Sequence, residues 1–336
     1  MTLSELRQRL EFEPLSLDGV SHRQISMQPQ LVEAALAWQD AADDHAIICL
    51  DDPAYPPLLK TIYDPPCVLF AKGRSELLTV PGVAVVGSRS ASHAGLQISR
   101  QLSRDMATQG VMICSGMASG IDTAAHLGAL DAGGATVAVL GTGVDECYPR
   151  RNRNLYGDIR QQGCLLSEFW PDTKPYAGNF PKRNRIISGI SMGTLVVEAR
   201  VKSGSLITAR LAAEQGREVF AVPGGILGGQ SEGCHELLKK GAKLVENAVD
   251  ITEEISAVCS SHLEGLGLSL HISKPNSCEL PIPSLLSSVK YEVTSLDEVV
   301  EHSGKTIDHV LEQILELELQ GWVAAVPGGY VRLKRN

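Results

Sequence analysis

The residues best equipped for chemistry in this chain are basic, and they fall in two short loops, Arg150-Arg151-Asn152-Arg153 and Lys182-Arg183-Asn184-Arg185. Phe180 and Pro181 precede the second cluster. Cations beside an aromatic ring suit a single nucleic-acid strand, because charge follows the phosphates while the ring stacks on a base. A charge run is also the ordinary composition of a solvated face, so the cluster needs partners.

Three small-residue segments supply them. The first is Gly87-Ser88-Arg89, where a guanidinium could hold a phosphate bidentately; equally, Gly87 only turns the chain and Arg89 is solvated. In the second, Ser115, Gly116 and Gly120 form a loop whose amides could cradle an anion, or simply pack a helix on a sheet. There Asp122 reads as a helix N-cap, with His126 one turn on and on the same face. The third is Lys202-Ser203-Gly204-Ser205, which precedes an apparent helix.

Each loop must be positioned by a strand. Apolar runs at 83–87, 111–116, 136–141, 164–168, 194–199 and 217–224 alternate with helix-like segments, and glycine closes several of them. Continuous apolar runs are what strands buried on both faces of a parallel sheet look like. The expected fold is therefore α/β, a Rossmann-like doubly wound and mostly parallel sheet. Three of its loops then converge where strands end, which is where such sheets bind ligands.

Around this core, residues 1–44 read as a short helical region and 25–43 as one amphipathic helix. A strand is expected at 47–50, and the Pro-rich stretch after it as turns and extended chain. The α/β domain is expected over 45–255, a Ser- and Pro-containing linker over 256–290, and a small winged-helix-like domain over 291–336. In the last, helices near 295–302 and 306–320 precede a hairpin at Pro327-Gly328-Gly329.

Composition sets limits. The chain has 336 residues, net charge −9, 43% hydrophobic and 21% charged residues. The acidic total requires any polyanion site to be a local basic cleft. No run approaches the length of a membrane span, and the N-terminus lacks a secretory pattern. The eight cysteines include no C-x-x-C pair, which argues against zinc and for a reducing cytoplasm. No metal or cofactor is expected.

Taken in order, GSR at 87–89, SGMASGID at 115–122, FPKRNRIISGIS at 180–191, VVEA at 196–199, KSGSLITA at 202–209 and VPG at 222–224 resemble the signature series of the DNA-processing protein A (DprA/Smf) family. The resemblance covers about residues 45–250. It implies a homodimer that binds single-stranded DNA and loads the RecA recombinase during natural transformation, without catalysis. It also implies a DNA pocket that includes Ser88, Arg89, Gly116, Lys182, Arg183 and Arg185. Family members tend to pair subunits near 233–245, which points to His235, Leu238 and Leu244. The first 44 residues are short beside the helical domain of many members. In the coda, the helix 305–320 carries Asp308, Glu312, Glu316 and Glu318 against Lys305, which suits protein contact or packing better than a DNA groove.

A second function class is a nucleotide-processing hydrolase, since the sheet and glycine loops also resemble Rossmann-like nucleoside-monophosphate hydrolases and Glu198 ends a strand near the loops. Neither a Walker A sequence nor G-x-G-x-x-G is present. Pairing of Glu198 with Arg185 or Arg200 is the plainer expectation. A third class, docking of an acidic protein on the basic loops, would show flat salt dependence toward single strands.

Overall fold

The computed structural model describes residues 29–227, 229–256, 284–319 and 322–333. Its contacts divide the chain into two units, one up to Lys274 and one from Pro275. The readings made for residues 1–28 and 257–283 lie outside the described residues.

In the first unit, helix α1 (Pro29–Asp40) leads to β1 (His45–Cys49) and β2 (Val68–Gly73). Then come β3 (Gly82–Val86), α2 (His93–Thr108), β4 (Met112–Ser115), α3 (Ile121–Asp131), β5 (Thr136–Val139), α4 (Arg153–Gln162) and β6 (Cys164–Ser167). The second half runs α5 (Asn179–Gly189), β7 (Gly193–Val196), α6 (Ser205–Glu214), β8 (Glu218–Ala221), α7 (Glu232–Lys239) and β9 (Lys243–Leu244). All nine strands form one sheet in the order β1-β2-β6-β5-β4-β3-β7-β8-β9. It is parallel from β6 through β9, while β1 and β2 are antiparallel additions at one edge. The α/β, mostly parallel arrangement expected from the apolar runs is therefore the one observed.

The apolar runs owe their continuity to burial on both faces. Along β3, Val83 and Val85 pack into one hydrophobic cluster while Ala84 and Val86 pack into another on the opposite side. Side chains alternate across a strand, so a strand covered on both faces has no polar position to spare. Strand β2 follows Pro65-Pro66 inside the stretch expected to be turns and extended chain. Its Leu69, Phe70 and Ala71 are nonetheless fully or nearly fully buried, and it pairs with β6.

In the second unit, α8 (Leu296–Ser303) and α9 (Ile307–Leu319) precede the hairpin β10 (Val323–Val326) and β11 (Gly329–Arg332). Ser295 opens α8 with a reciprocal capping box to Glu298. Leu285, Leu286 and Val289, assigned to the linker by composition, are buried with Val299, Val310, Ile314, Leu317 and Val323. The apolar content of 285–289 serves this small core. Two helices and a hairpin make the winged-helix layout.

Candidate functional site

The chain enters the parallel sheet at β3, winds outward through β4, β5 and β6, then returns to the other side of β3 as β7. That reversal is the topological switch point, where loops leaving adjacent strands diverge and open a crevice. The loops after β3, β4 and β7 meet there around an open cleft of about 820 Å³ whose walls include Ser88, Arg89, Arg183, Arg200, Lys202 and Gln230. The convergence expected from sequence is the observed geometry, though what fills each loop differs.

Two of the three expected anion cradles already hold a carboxylate of the protein. Asp122 Oδ2 accepts from the Gly116 and Ala118 amides at 3.1 and 3.3 Å. Asp122 is thus not the N-cap of α3; Gly120 occupies that position with φ 79°. A Cβ at Gly120 would collide with the Ser88 carbonyl, and that carbonyl accepts from the Ile121 amide at 3.2 Å. Burial pushes the Asp122 carboxyl upward, opposed by the nearby Arg183 charge. His126 does not pair with Asp122 either. Its Nδ1 meets Thr136 Oγ1 at 2.7 Å, and burial lowers the ring to about 3.

At the start of α2, the buried Glu198 carboxylate accepts from the Ser92 amide at 3.1 and 3.2 Å and from Ser92 Oγ at 2.5 Å. Ser92 is the N-cap of that helix, its Oγ accepting from the Gly95 amide. Negative charge here is favoured by the helix dipole, and this helix start holds Glu198. The expected pairing of Glu198 with Arg185 or Arg200 is not formed.

The basic cluster lies in the helix α5 rather than in a loop, and helical geometry scatters its charges. Successive residues rotate by about 100° around a helix, so neighbours in sequence face different surroundings. Arg183 turns inward and is 4% exposed. Its Nη1 donates to the Gly116 carbonyl at 2.7 Å and to the Val139 carbonyl, tying together the ends of β4 and β5. Burial lowers it to about 10. A Cβ at Gly116 would meet Arg183 Nη2 at 2.6 Å, so glycine is needed for this approach. Arg185 is held bidentately by Glu168 at 2.9 and 2.6 Å, and both side chains are largely buried. Lys182 is exposed, and Asn184 Oδ1 accepts from Arg183 Nε at 3.3 Å at the cleft wall.

Ser115 is likewise structural, its hydroxyl donating to the Val85 carbonyl at 2.6 Å. Gly87 and Ser88 form the turn into the cleft. The third loop leaves Lys202 and Gly204 exposed, while Ser203 Oγ and Ser205 Oγ lie 2.7 Å apart. Arg89 is exposed, and its guanidinium carbon lies 5.8 Å from the centroid of the Phe180 ring. Arg200 and Gln230, not among the residues expected from sequence, join at 3.0 Å and also line the cleft. The signal for Arg200 was its place directly after the β7 run, where a side chain must enter the crevice. Among the described residues, Arg89, Arg200 and Lys202 take part in no ion pair. The cleft thus presents cations without carboxylate partners around a ring, with its own carboxylates satisfied by amides.

Of the residues expected at a subunit contact, His235 Nε2 lies 3.0 Å from the Gly224 carbonyl oxygen and Leu238 is half-buried against the sheet core. Leu244 is 50% exposed on the edge strand β9. Among the described residues, no cluster of His, Cys, Asp or Glu could hold a metal, and no helix is long and apolar enough to cross a membrane.

A family model described as DNA recombination-mediator protein A matches residues 46–256, and one described as DprA winged helix domain matches 276–329. Protein Smf of Escherichia coli K12 is 45% identical over 316 residues, covering 94% of this chain and 84% of its own. DNA processing protein DprA of Streptococcus pneumoniae R6 is 49% identical over 205 residues, covering 61% and 72%. The X-ray structure of Streptococcus pneumoniae DprA superposes with TM-score 0.63 at 40% identity, covering 75% of this chain and 90% of that one. A Helicobacter pylori DNA processing protein A structure, described for its single-stranded DNA binding mode, gives TM-score 0.56 at 32% identity over 64% and 96%.

Proposed function

The chain belongs to the DprA/Smf family of DNA recombination-mediator proteins, and we propose that it binds single-stranded DNA in the cleft at the sheet's switch point, protects it, and loads RecA on it during DNA uptake. It does so in the cytoplasm, as a homodimer, and catalyses no reaction.

The observation that carries this reading is Arg89 set over the Phe180 ring in the cleft, whose lining also includes Lys202 and Arg200. Three cations give an electrostatic track for phosphates, and a ring gives sequence-tolerant stacking of about 1–3 kcal/mol per base. Contacts to phosphate carry no base information, so binding is indifferent to sequence. Arg183 shapes the site from within rather than meeting phosphate, and Arg185 anchors α5 to Glu168. The hydrolase alternative needs Glu198 as a free base near substrate, whereas its carboxylate is engaged by Ser92.

The test is the affinity of labelled oligothymidylate for the wild type and for an Arg89→Ala/Lys182→Ala/Lys202→Ala variant at two salt concentrations. Loss of most affinity in the variant, with a shallower salt slope, is expected. Equal and salt-independent binding by both proteins would remove the cleft from consideration.

A further inference from the structure

Gly141 is the seat of the ring in the cleft: a Cβ there would meet Phe180 Cδ1 at 2.7 Å. It opens residues 141–149, which join β5 to the 3-10 turn Arg150–Asn152. Near the far end of this segment Tyr148 lies 5.4 Å from the same ring, centroid to centroid. The place of Phe180 therefore depends on where the segment sits. Two glycines, Gly141 and Gly143, give its backbone extra freedom, so outside ties must hold it. Several come from the sheet's own connections. The Gly143 and Asp145 amides donate to the Thr173 and Pro171 carbonyls, each at 2.9 Å, and the Tyr156 hydroxyl donates to the Val144 carbonyl.

Another comes from outside the sheet. Trp38, in the last turn of α1, donates from Nε1 to Asp145 Oδ2 at 2.8 Å, across 107 residues of sequence. Lys72 of β2 donates to the other oxygen of that carboxylate at 2.6 Å. The Trp38 ring is itself held, stacked on His45 at 4.2 Å between centroids and edge-on to Phe70 at 5.8 Å. Phe70 packs on Trp170 at 5.5 Å, and the Trp170 carbonyl is among the atoms that a Cβ at Gly143 would strike. Val32 and Ala35 of α1 are buried in one cluster with Val144. Helix α1 thus grips the segment twice, by a bond at Asp145 and by packing at Val144. Neither Trp38 nor Asp145 lines the cleft.

We propose that Trp38 is a positioning residue for the cleft: by holding Asp145 it fixes the segment 141–149, and with it the place of the Phe180 ring, so helix α1 sets how well that ring stacks on a base. The inference rests on the strand-binding reading of the cleft and adds to it a control point on a helix that does not touch the strand. A ring already in place gives up less freedom when a base meets it, and that saving appears as affinity.

The test is a double-mutant cycle on the full chain with labelled oligothymidylate: wild type, Trp38→Phe, Phe180→Leu and the two together, each checked by urea unfolding. The Asp145 side chain is 36% exposed and phenylalanine keeps a ring against His45 and Phe70, so Trp38→Phe removes the bond and leaves the packing. Trp38→Phe should bind about fivefold more weakly, because the ring must now be ordered on binding. Its slope of log affinity against log salt should match the wild type, since no phosphate contact is lost. In the Phe180→Leu background the same substitution should change affinity by less than about 1.5-fold, because residues that act through one another do not add. Asp145→Ala reaches the bond from its other end. It should show the same dependence on Phe180, and Trp38→Phe should add nothing to it. Wild-type affinity in both Trp38→Phe and Asp145→Ala would overturn the proposal. So would an equal loss in both Phe180 backgrounds, which marks a general loosening of the fold. Either result leaves the cleft reading standing. Undiminished binding by Phe180→Leu would take the ring out of the cleft reading and end both together.

Discussion

Ser92 Oγ lies 2.5 Å from Glu198 Oε2, which joins the first turn of α2 to the end of β7 across the switch point. The same carboxylate takes the Ser92 amide, so it closes a helix start that would otherwise be open to an anion. Glu198→Gln should therefore act on stability, since charge-assisted bonds of this kind contribute about 1.5–3 kcal/mol. We expect a lower denaturation midpoint with affinity for single strands largely kept. Hydrolysis of nucleoside monophosphates by the wild type that disappeared in Glu198→Gln would instead restore the enzymatic reading.

Lys182 and Arg183 are adjacent in sequence and should separate cleanly in experiment. Arg183→Ala leaves the Gly116 and Val139 carbonyls without their donor and removes the cation nearest the buried Asp122. Loss of a buried, hydrogen-bonded charge costs about 3 kcal/mol. Lys182→Ala removes an exposed side chain and should stay within about 0.5 kcal/mol of the wild type, while weakening oligothymidylate binding. Urea unfolding and binding measured on both variants decide the matter. A stable Arg183→Ala protein with weakened binding would show that Arg183 contacts the ligand directly.

The split between these two residues also marks what the sequence could convey. The strands at 83–87, 111–116, 136–141, 164–168, 194–199 and 217–224 were readable because burial on both faces leaves an unbroken apolar run. Their order placed three loops together, so the site's location was readable as well. Strand β2 was hidden by the prolines before it, although burial of Leu69 and Phe70 outweighs that local signal. That both arginines of α5 are engaged depends on Glu168 for Arg185 and Gly116 for Arg183, 17 and 67 residues away, and no local pattern records such partners. The roles of Asp122 and Glu198 were misread for the same reason, because each is defined by amides on another segment.

His126 provides a pH-dependent test of the core. Its ring is fully buried against Thr136, and burial lowers it from an ordinary 6.5 to about 3. Between those values the unfolded chain binds a proton that the folded chain does not, so stability rises with pH across this window and is lost as pH falls through it. The single-site contribution approaches about 1.4 kcal/mol per pH unit within the window. Measured between pH 4 and 6, inside that window, the stability slope should flatten in His126→Gln. An identical slope in the variant would assign the acid sensitivity to other groups, the carboxylates among them.

The winged-helix unit should leave duplex DNA alone. Val310, Ile314 and Leu317 turn the inner face of α9 into its own small core, which directs Asp308, Glu312 and Glu316 outward beside the exposed Ile307, Leu311 and Leu315. A groove-reading helix needs cations against the phosphates on either side, and this one presents carboxylates. We expect the full chain to discriminate strongly against duplex in competition with single strands. Glu312→Ala should leave single-strand affinity within about twofold, because the contact track lies on the other unit. Asp308→Lys/Glu312→Lys should create a salt-sensitive duplex affinity absent from the wild type, since it reverses the sign of that face. A wild-type protein that binds duplex as tightly as single strands, with the loss of that binding on substituting α9, would make the wing a DNA reader after all.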